Sequence, residues 1–389
     1  MTPQARAQAA IEILDAVIAA ARDAGPAADT LVQRYFKARR YAGAKDRRAV
    51  RDLVYAAIRR AGERPESGRA ALAGLAEDDP AVAALFDGAP HGPAPLSPGE
   101  PRAPAGVAPK WLAARLAATL GAGDLAALLE RAPLDLRVNT LKATRSQMRA
   151  AFPDAFDTPH APDGLRFPEP FAVEASAPFL AGQVEVQDEG SQLLSLACGA
   201  APGMTVVDLC AGAGGKTLAL AAMMAGKGRI IACDADRARL ARLAPRAERA
   251  GVSIIETRLL DGGREAEALA DLAGAADIVL VDAPCSGTGT WRRNPEARWR
   301  LTAERLTRLT TLQARLLAVA ARLVRPGGAL VYGVCSLLPE EGPAIAAGLD
   351  WPADEVEIGA GTPAPPGIRL TPSRDGTDGF FFARMRRPC

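Results

Sequence analysis

The sequence predicts an α/β protein: a doubly wound parallel-sheet domain preceded by a small α+β module and an all-α N-terminal region. Three observations carry this. From Gln183 onward, apolar runs alternate with helix-length segments, the pattern of strand–helix units in a parallel sheet. The first 88 residues show only helical spacing. Between these regions the chain breaks at 89–108, which hold six prolines and little apolar periodicity.

Taken in order, residues 1–88 form the helical region. Ala5–Ala21 has apolar spacing near 3.6, and Asp46–Arg60 repeats it with Val50, Leu53, Val54, Ala57 and Ile58. Between Arg34 and Arg60, ten Lys/Arg face two Asp, a local balance of +8 inside a chain of net charge +2. Such a stretch suits phosphate neutralisation, or is a solvated basic face. Residues 89–108 read as a linker. Residues 109–182 read as the α+β module, with helical patterns to about Ala132 and a strand-like Leu134–Leu141. In 183–389, strands are expected at Thr205–Cys210, Arg229–Asp234, Ser253–Thr257, Asp277–Asp282 and Ala329–Ser336.

Composition excludes several classes. No apolar run reaches the 18 or so residues of a membrane span. Glu12 and Asp15 interrupt the first apolar pattern, unlike a signal or transit peptide. A soluble, cytoplasmic, monomeric protein without a membrane partner is expected. The six cysteines form no CxxC pair, and the two histidines, His91 and His160, lie in Pro/Gly-rich stretches. Neither a metal site nor a histidine base is expected.

Ligands of doubly wound sheets bind beyond the carboxyl ends of the strands. Those ends carry Asp208-Leu209-Cys210, Asp234, Asp261, Asp282 and Cys335. The first runs into Cys210-Ala211-Gly212-Ala213-Gly214-Gly215-Lys216-Thr217, where glycines let backbone approach a ligand at a helix N-terminus. A phosphate-binding Walker loop would need glycine at Cys210, and GxGxxG fails because Lys216 and Thr217 follow Gly215. A loop for another nucleoside-type ligand remains. Asp234 is placed to accept ribose hydroxyls, with Asp236 better suited to helix capping. Asp261 is a candidate for adenine, or part of an ordinary Asp-Gly-Gly turn. The fourth strand leads into Asp282-Ala283-Pro284-Cys285 and the fifth into Cys335-Ser336, so two neighbouring strands deliver one cysteine each to the same cleft.

On VQDEGSQL (186–193), DLCAGAGGKT (208–217), DAPCSGTG (282–289), RRNPEARW (292–299) and VCSLLPEE (334–341), the chain resembles the Fmu/Sun family of RNA (cytosine-5) methyltransferases. The resemblance covers 109–389. It implies a Rossmann-like, S-adenosyl-L-methionine-dependent methyltransferase domain over 183–389. It also implies a cofactor site of Cys210, Ala211, Gly212, Ala213, Gly214, Gly215, Lys216, Asp234, Asp261 and Asp282. The family loop usually has Ala and Pro where Gly212 and Ala213 stand, and Thr where Val334 stands. Cys335 matches the covalent nucleophile and Cys285 the second cysteine, which assists product release. Residues 1–88, best at Asp46–Tyr55, resemble the NusB-like helical RNA-binding domain of the 16S ribosomal RNA branch, which implies that RNA as substrate and partner.

The chemistry needs these residue types. Carbon 5 of cytosine is a poor nucleophile until a thiolate adds at carbon 6. Asp282, if protonated or bridged, is placed to hydrogen-bond N3, with Lys216 orienting it and stabilising charge. Arg292, Arg293, Arg298 and Arg300, interleaved with Trp291 and Trp299, suit a splayed RNA segment, although the tryptophans could equally be core. Alternatives are a cytosine-5 enzyme acting on tRNA, one acting on DNA, in which Cys285 would attack, and a non-catalytic ribosome-assembly factor. The presence of Cys285, Cys335 and Asp282 together argues against the last.

Overall fold

The computed structural model describes residues 1–23 and 25–389. They form two compact units: residues 1–131 with 290–303, and residues 132–289 with 304–389.

The first unit is built on α1 (Pro3–Arg22), α2 (Ala28–Ala38), α3 (Ala44–Arg60) and α4 (Gly68–Asp78). Thr2 starts α1 by accepting the Ala5 N–H through its hydroxyl at 3.1 Å. The apolar stripe of α1, including Ile11, Leu14, Val17 and Ile18, is buried against Val50, Val54, Ile58 and Leu72. At Gly68 a Cβ would lie 2.1 Å from the Ile11 carbonyl oxygen, so only glycine permits this approach of α4 to α1. The helices Lys110–Ala117 and Ala122–Ala127 also belong to this unit.

The proline-rich stretch is not a free tether. Ala103 N–H donates to Ala70 O at 2.9 Å and Gly106 N–H to Arg60 O at 2.9 Å. Arg60 donates to Ala103 O at 2.6 Å, and Arg69 donates to Pro95 O at 3.0 Å while pairing with Glu100. Six prolines remove backbone donors, and arginine side chains supply the missing ones.

Residues 290–303 correct the expectation of an RNA-facing arginine–tryptophan segment. Trp291 and Trp299 are buried, as are Arg292 and Arg298. Trp299 joins the core of α1, α3 and α4 and donates its indole N–H to Ala61 O at 2.9 Å. Arg298 Nη2 donates to the carbonyls of Ile58, Arg59 and Ala61 at 2.6, 2.8 and 2.9 Å. These are the open acceptors at the end of α3, where a cation also opposes the helix dipole. Arg300 donates to Gly25 O and Pro26 O, both at 2.6 Å.

The second unit holds two sheets. The smaller is antiparallel, in the order β2 (Phe156–Asp157), β3 (Gly164–Phe167), β1 (Leu134–Val138), β4 (Val184–Val186). The larger contains β5 (Thr205–Asp208), β6 (Arg229–Asp234), β7 (Ile255–Leu259), β8 (Ala276–Asp282), β9 (Val324–Val334), β10 (Thr362–Ala364), β11 (Gly367–Leu370) and β12 (Phe380–Arg386). Its order is β10-β11-β12-β9-β8-β5-β6-β7, with β7-β6-β5-β8-β9 parallel and β10, β11 and β12 antiparallel. The chain turns outward from β5 in both directions, to β6 on one side and β8 on the other, which opens a crevice at their carboxyl ends. Helices α5 (Glu189–Ala197), α6 (Gly215–Met223), α7 (Leu243–Ala250) and α8 (Ala303–Leu323) follow in chain order. The five expected strands are present. The antiparallel C-terminal strands lie beyond the five that the sequence marks, since the short apolar run Phe380–Ala383 does not distinguish a strand from a helix.

Truncating Trp299 removes a large buried side chain and an indole hydrogen bond. Trp299→Ala is expected to destabilise the helical unit by about 3–5 kcal/mol, seen as a lower urea midpoint. A midpoint equal to wild type would show that the segment is dispensable to that core.

Candidate active site

The strand-end loop Cys210–Lys216 is shaped by its own backbone. Ala211 N–H donates to Cys233 O at 2.8 Å and Gly214 N–H to Ala211 O at 2.8 Å. Gly212 and Gly214 have φ of +56° and +86°, in the left-handed region. A Cβ on Gly214 would meet Leu243 Cδ1 at 2.0 Å, whereas Gly212 and Gly215 have nothing within 4 Å of theirs. The loop therefore presents bare backbone at the start of α6, the form expected of a nucleoside-type ligand site.

Asp234 reaches this loop from β6. One carboxylate oxygen accepts the Gly212 N–H at 2.8 Å and the other the Asp236 N–H at 2.7 Å. Each oxygen keeps a second lone pair for a ligand hydroxyl. Asp236 accepts the Ala238 and Arg239 N–H groups and caps the short helix that follows. Asp261 is exposed just past β7, and its carbonyl accepts the Arg264 N–H at 2.9 Å.

Arg246 on α7, absent from the sequence expectations, holds the same loop from outside. It donates to Ala213 O at 2.6 Å and to Glu185 of β4 at 2.8 Å. A lone arginine in an exposed-looking helix gives no sequence signal for this role.

Asp208 ends β5, wholly buried. Thr217 donates its hydroxyl to one carboxyl oxygen at 2.7 Å, and the other has no hydrogen-bond partner. Burial, reinforced by Asp282, pushes the Asp208 pKa up to about 7 against the favourable Thr217 bond.

Lys216 Nζ lies 2.6 Å from Asp282 Oδ2. Burial works against the Lys216 charge, but Asp282 more than offsets it, and the ammonium is held above its ordinary pKa. Next to this pair, Cys285 and Cys335 share a hydrogen bond with their sulfurs 3.4 Å apart. The hydrogen bond to Cys335 and burial push the Cys285 thiol well up. Burial does the same to Cys198, Cys210 and Cys233, which leaves them inert thiols. The structure thus brings Lys216, Asp282, Cys285 and Cys335 together, with the glycine loop and Asp234 at the neighbouring strand ends. Among the described residues no group of three or more His, Cys, Asp or Glu is placed to hold a metal, and no helix is long and apolar enough to cross a membrane.

Comparison with known proteins follows the same lines. Residues 196–386 match the family model described as 16S rRNA methyltransferase RsmB/F. The chain belongs to this methyltransferase family. It is 35% identical over 285 residues to the ribosomal RNA small subunit methyltransferase B of Enterobacter sp. (strain 638), covering 71% of this chain and 66% of that protein. The corresponding Klebsiella pneumoniae protein is 36% identical over 261 residues, covering 66% of this chain and 60% of that one. The chain thus spans 60–66% of the length of these relatives. Among solved structures, PH0851 is 25% identical with a TM-score of 0.78, covering 98% of this chain and 99% of that one. A methyltransferase homologue from Pyrococcus horikoshii is 28% identical with a TM-score of 0.63, covering 72% and 95%. The family assignment bears out both the Rossmann-like fold and dependence on S-adenosyl-L-methionine, and the bare loop, Asp234 and the start of α6 fit that cofactor.

The raised Asp208 pKa makes a pH prediction. In the unfolded chain this carboxyl ionises near 4, in the fold only near 7. Its contribution to stability is therefore complete below pH 4 and lost as pH rises to about 7. Asp208→Asn should remove this loss, so urea titrations of cofactor-free protein from pH 5 to 8 should fall less steeply than wild type, by a few kcal/mol at most. Parallel slopes would mean that Asp208 is ionised in the fold.

Proposed function

We propose that this protein transfers a methyl group to carbon 5 of a cytosine in 16S ribosomal RNA, with Cys335 as nucleophile. The observation that carries the reading is the pair of thiols 3.4 Å apart beside the Lys216–Asp282 ion pair. S-adenosyl-L-methionine, when bound, supplies an electrophilic methyl group. Asp234 and the backbone of Gly212–Gly215 would hold it, and Asp261 would meet its adenine. The Cys335 thiolate adds to carbon 6 of the ring, and its electron pair makes carbon 5 nucleophilic. With a proton taken up as the base enters, Asp282 donates to N3 during addition, oriented by Lys216. After methyl transfer the carbon 5 proton leaves, the carbon–sulfur bond breaks, and Cys335 is released. Cys285, kept as a thiol by Cys335 and by burial, gives or takes a proton at this second stage.

The ribosomal substrate is supported by the relatives named above and by the helical unit. Of its ten basic residues from Arg34 to Arg60, Arg39 pairs with Glu12 and Arg60 with Glu77 and Asp78. Arg34, Lys37, Arg40, Lys45, Arg47, Arg48 and Arg51 are exposed on α2, α3 and their connection. These, rather than the buried arginines of 292–300, are the phosphate-contacting group.

Two measurements test this. Cys335→Ala should abolish methyl transfer and form no adduct with RNA. Cys285→Ala should methylate but release slowly, and accumulate a protein–RNA adduct stable to denaturing electrophoresis. The reverse pattern would assign the attack to Cys285. Separately, replacing Arg40, Lys45, Arg48 and Arg51 by Gln should flatten the dependence of log affinity on log salt, by roughly 0.7 for each phosphate that is no longer neutralised. An unaltered slope would make this face a merely solvated surface.

A further inference from the structure

The two cysteines arrive on separate segments, and each is followed by a serine: Ser286 after Cys285 and Ser336 after Cys335. Both serines converge on one side chain. Glu341, completely buried, accepts the Ser286 N–H at 2.8 Å and a Gln313 amide N–H at 3.0 Å on one carboxylate oxygen. The other oxygen accepts the hydroxyls of Ser286 and Ser336, the latter at 2.6 Å. Four donors therefore meet one carboxylate, and no ion pair to it is found among the described residues. Its partners are neutral, and two of them, Ser286 and Ser336, lie on the two segments whose spacing matters. Gln313 of α8 also donates to Pro284 O at 2.9 Å, one residue before Cys285. Tyr332 of β9 donates its hydroxyl to Glu341 O at 2.6 Å, fixing the backbone of the residue itself.

A carboxylate is buried without a cation only where hydrogen bonds replace its hydration. Here three of the four replacement bonds come from the residue next to a cysteine. A purely structural carboxylate would gain as much from donors anywhere. We propose that Glu341 is the positioning residue that holds the Cys285 and Cys335 thiols in contact. Among the described residues its side chain makes no hydrogen bond to the Cys210–Lys216 loop. Its effect passes through Ser286 and Ser336 to the sulfurs. The proposal rests on the two-cysteine reading for its catalytic meaning, but not for its geometry.

The test measures thiol proximity directly. Diamide links two neighbouring thiols into a disulfide, taking up the two electrons and two protons to become the hydrazine. After trapping with N-ethylmaleimide, peptide mass mapping counts the Cys285–Cys335 product. Wild type should cross-link rapidly at this pair. Glu341→Ala should slow the reaction about ten-fold or more, as expected when charge-assisted bonds are removed. It should also lower kcat while the KM for S-adenosyl-L-methionine is unchanged. Glu341→Gln, which keeps an acceptor and the shape, should recover most of both rates. Cross-linking of Glu341→Ala at the wild-type rate would overturn the proposal. If Glu341→Ala fails to fold by circular dichroism, the Ser286→Ala/Ser336→Ala double variant decides. Slowed cross-linking in it supports the proposal, and a wild-type rate overturns it. Should Cys335→Ala retain methylation, the nucleophile assignment falls, while the cross-linking result still reports on Glu341.

Discussion

The parallel pairing of β8 with β9 is the constraint on which the candidate site depends. Its register runs from Ile278 opposite Ala329 to Asp282 opposite Gly333, and continues as Ala283 N–H donating to Gly333 O at 2.9 Å. Because the pairing ends at the same level on both strands, the residues that follow enter one crevice side by side. Asp282 emerges facing Lys216, and the cysteines follow within three residues on each strand. A shift of the register by one residue would turn the alternate side chains of β9 to the other sheet face. Both faces are apolar, with Tyr332 and Val334 in one cluster and Val331 in another, so the core itself resists such a shift.

On this frame the charges are arranged by burial rather than by surface attraction. Asp208, Lys216, Asp282 and Glu341 stand close to the strand ends, and each has a different means of being tolerated. Glu341 is satisfied by neutral donors, and Lys216 and Asp282 by each other. Asp208 has only the Thr217 hydroxyl and is held near neutrality as a result. The division leaves the Lys216 charge within reach of Cys335. Burial raises the thiols of Cys198, Cys210 and Cys233, which takes those three out of thiol chemistry.

The segment 290–303 follows the Cys285 loop in sequence and belongs with the helical unit. Its arginine and tryptophan side chains close that unit rather than meet solvent. Arg298 carries three carbonyls at the end of α3, and Glu296 accepts the Ala28 N–H at the start of α2 at 2.9 Å. Helix ends leave such groups open, and a charged side chain from a distant segment closes them.

The sequence by itself determined the α/β class, the five parallel strands and the acidic residues and cysteines at their ends. It could do so because an apolar run bounded by polar residues is a local property, and a parallel sheet places every such boundary on one edge. It also marked Asp236 as a cap rather than a ligand, again from local position. The tertiary structure alone decided where Arg298 and Trp299 go, what holds Ala213, and what Glu341 binds. Arg298 meets Ile58 across 240 positions and Ser286 meets Glu341 across 55. An arginine or glutamate reads the same in sequence whether it faces water, phosphate or a buried carbonyl. Only the packing that removes water from around it settles which partner must take water's place.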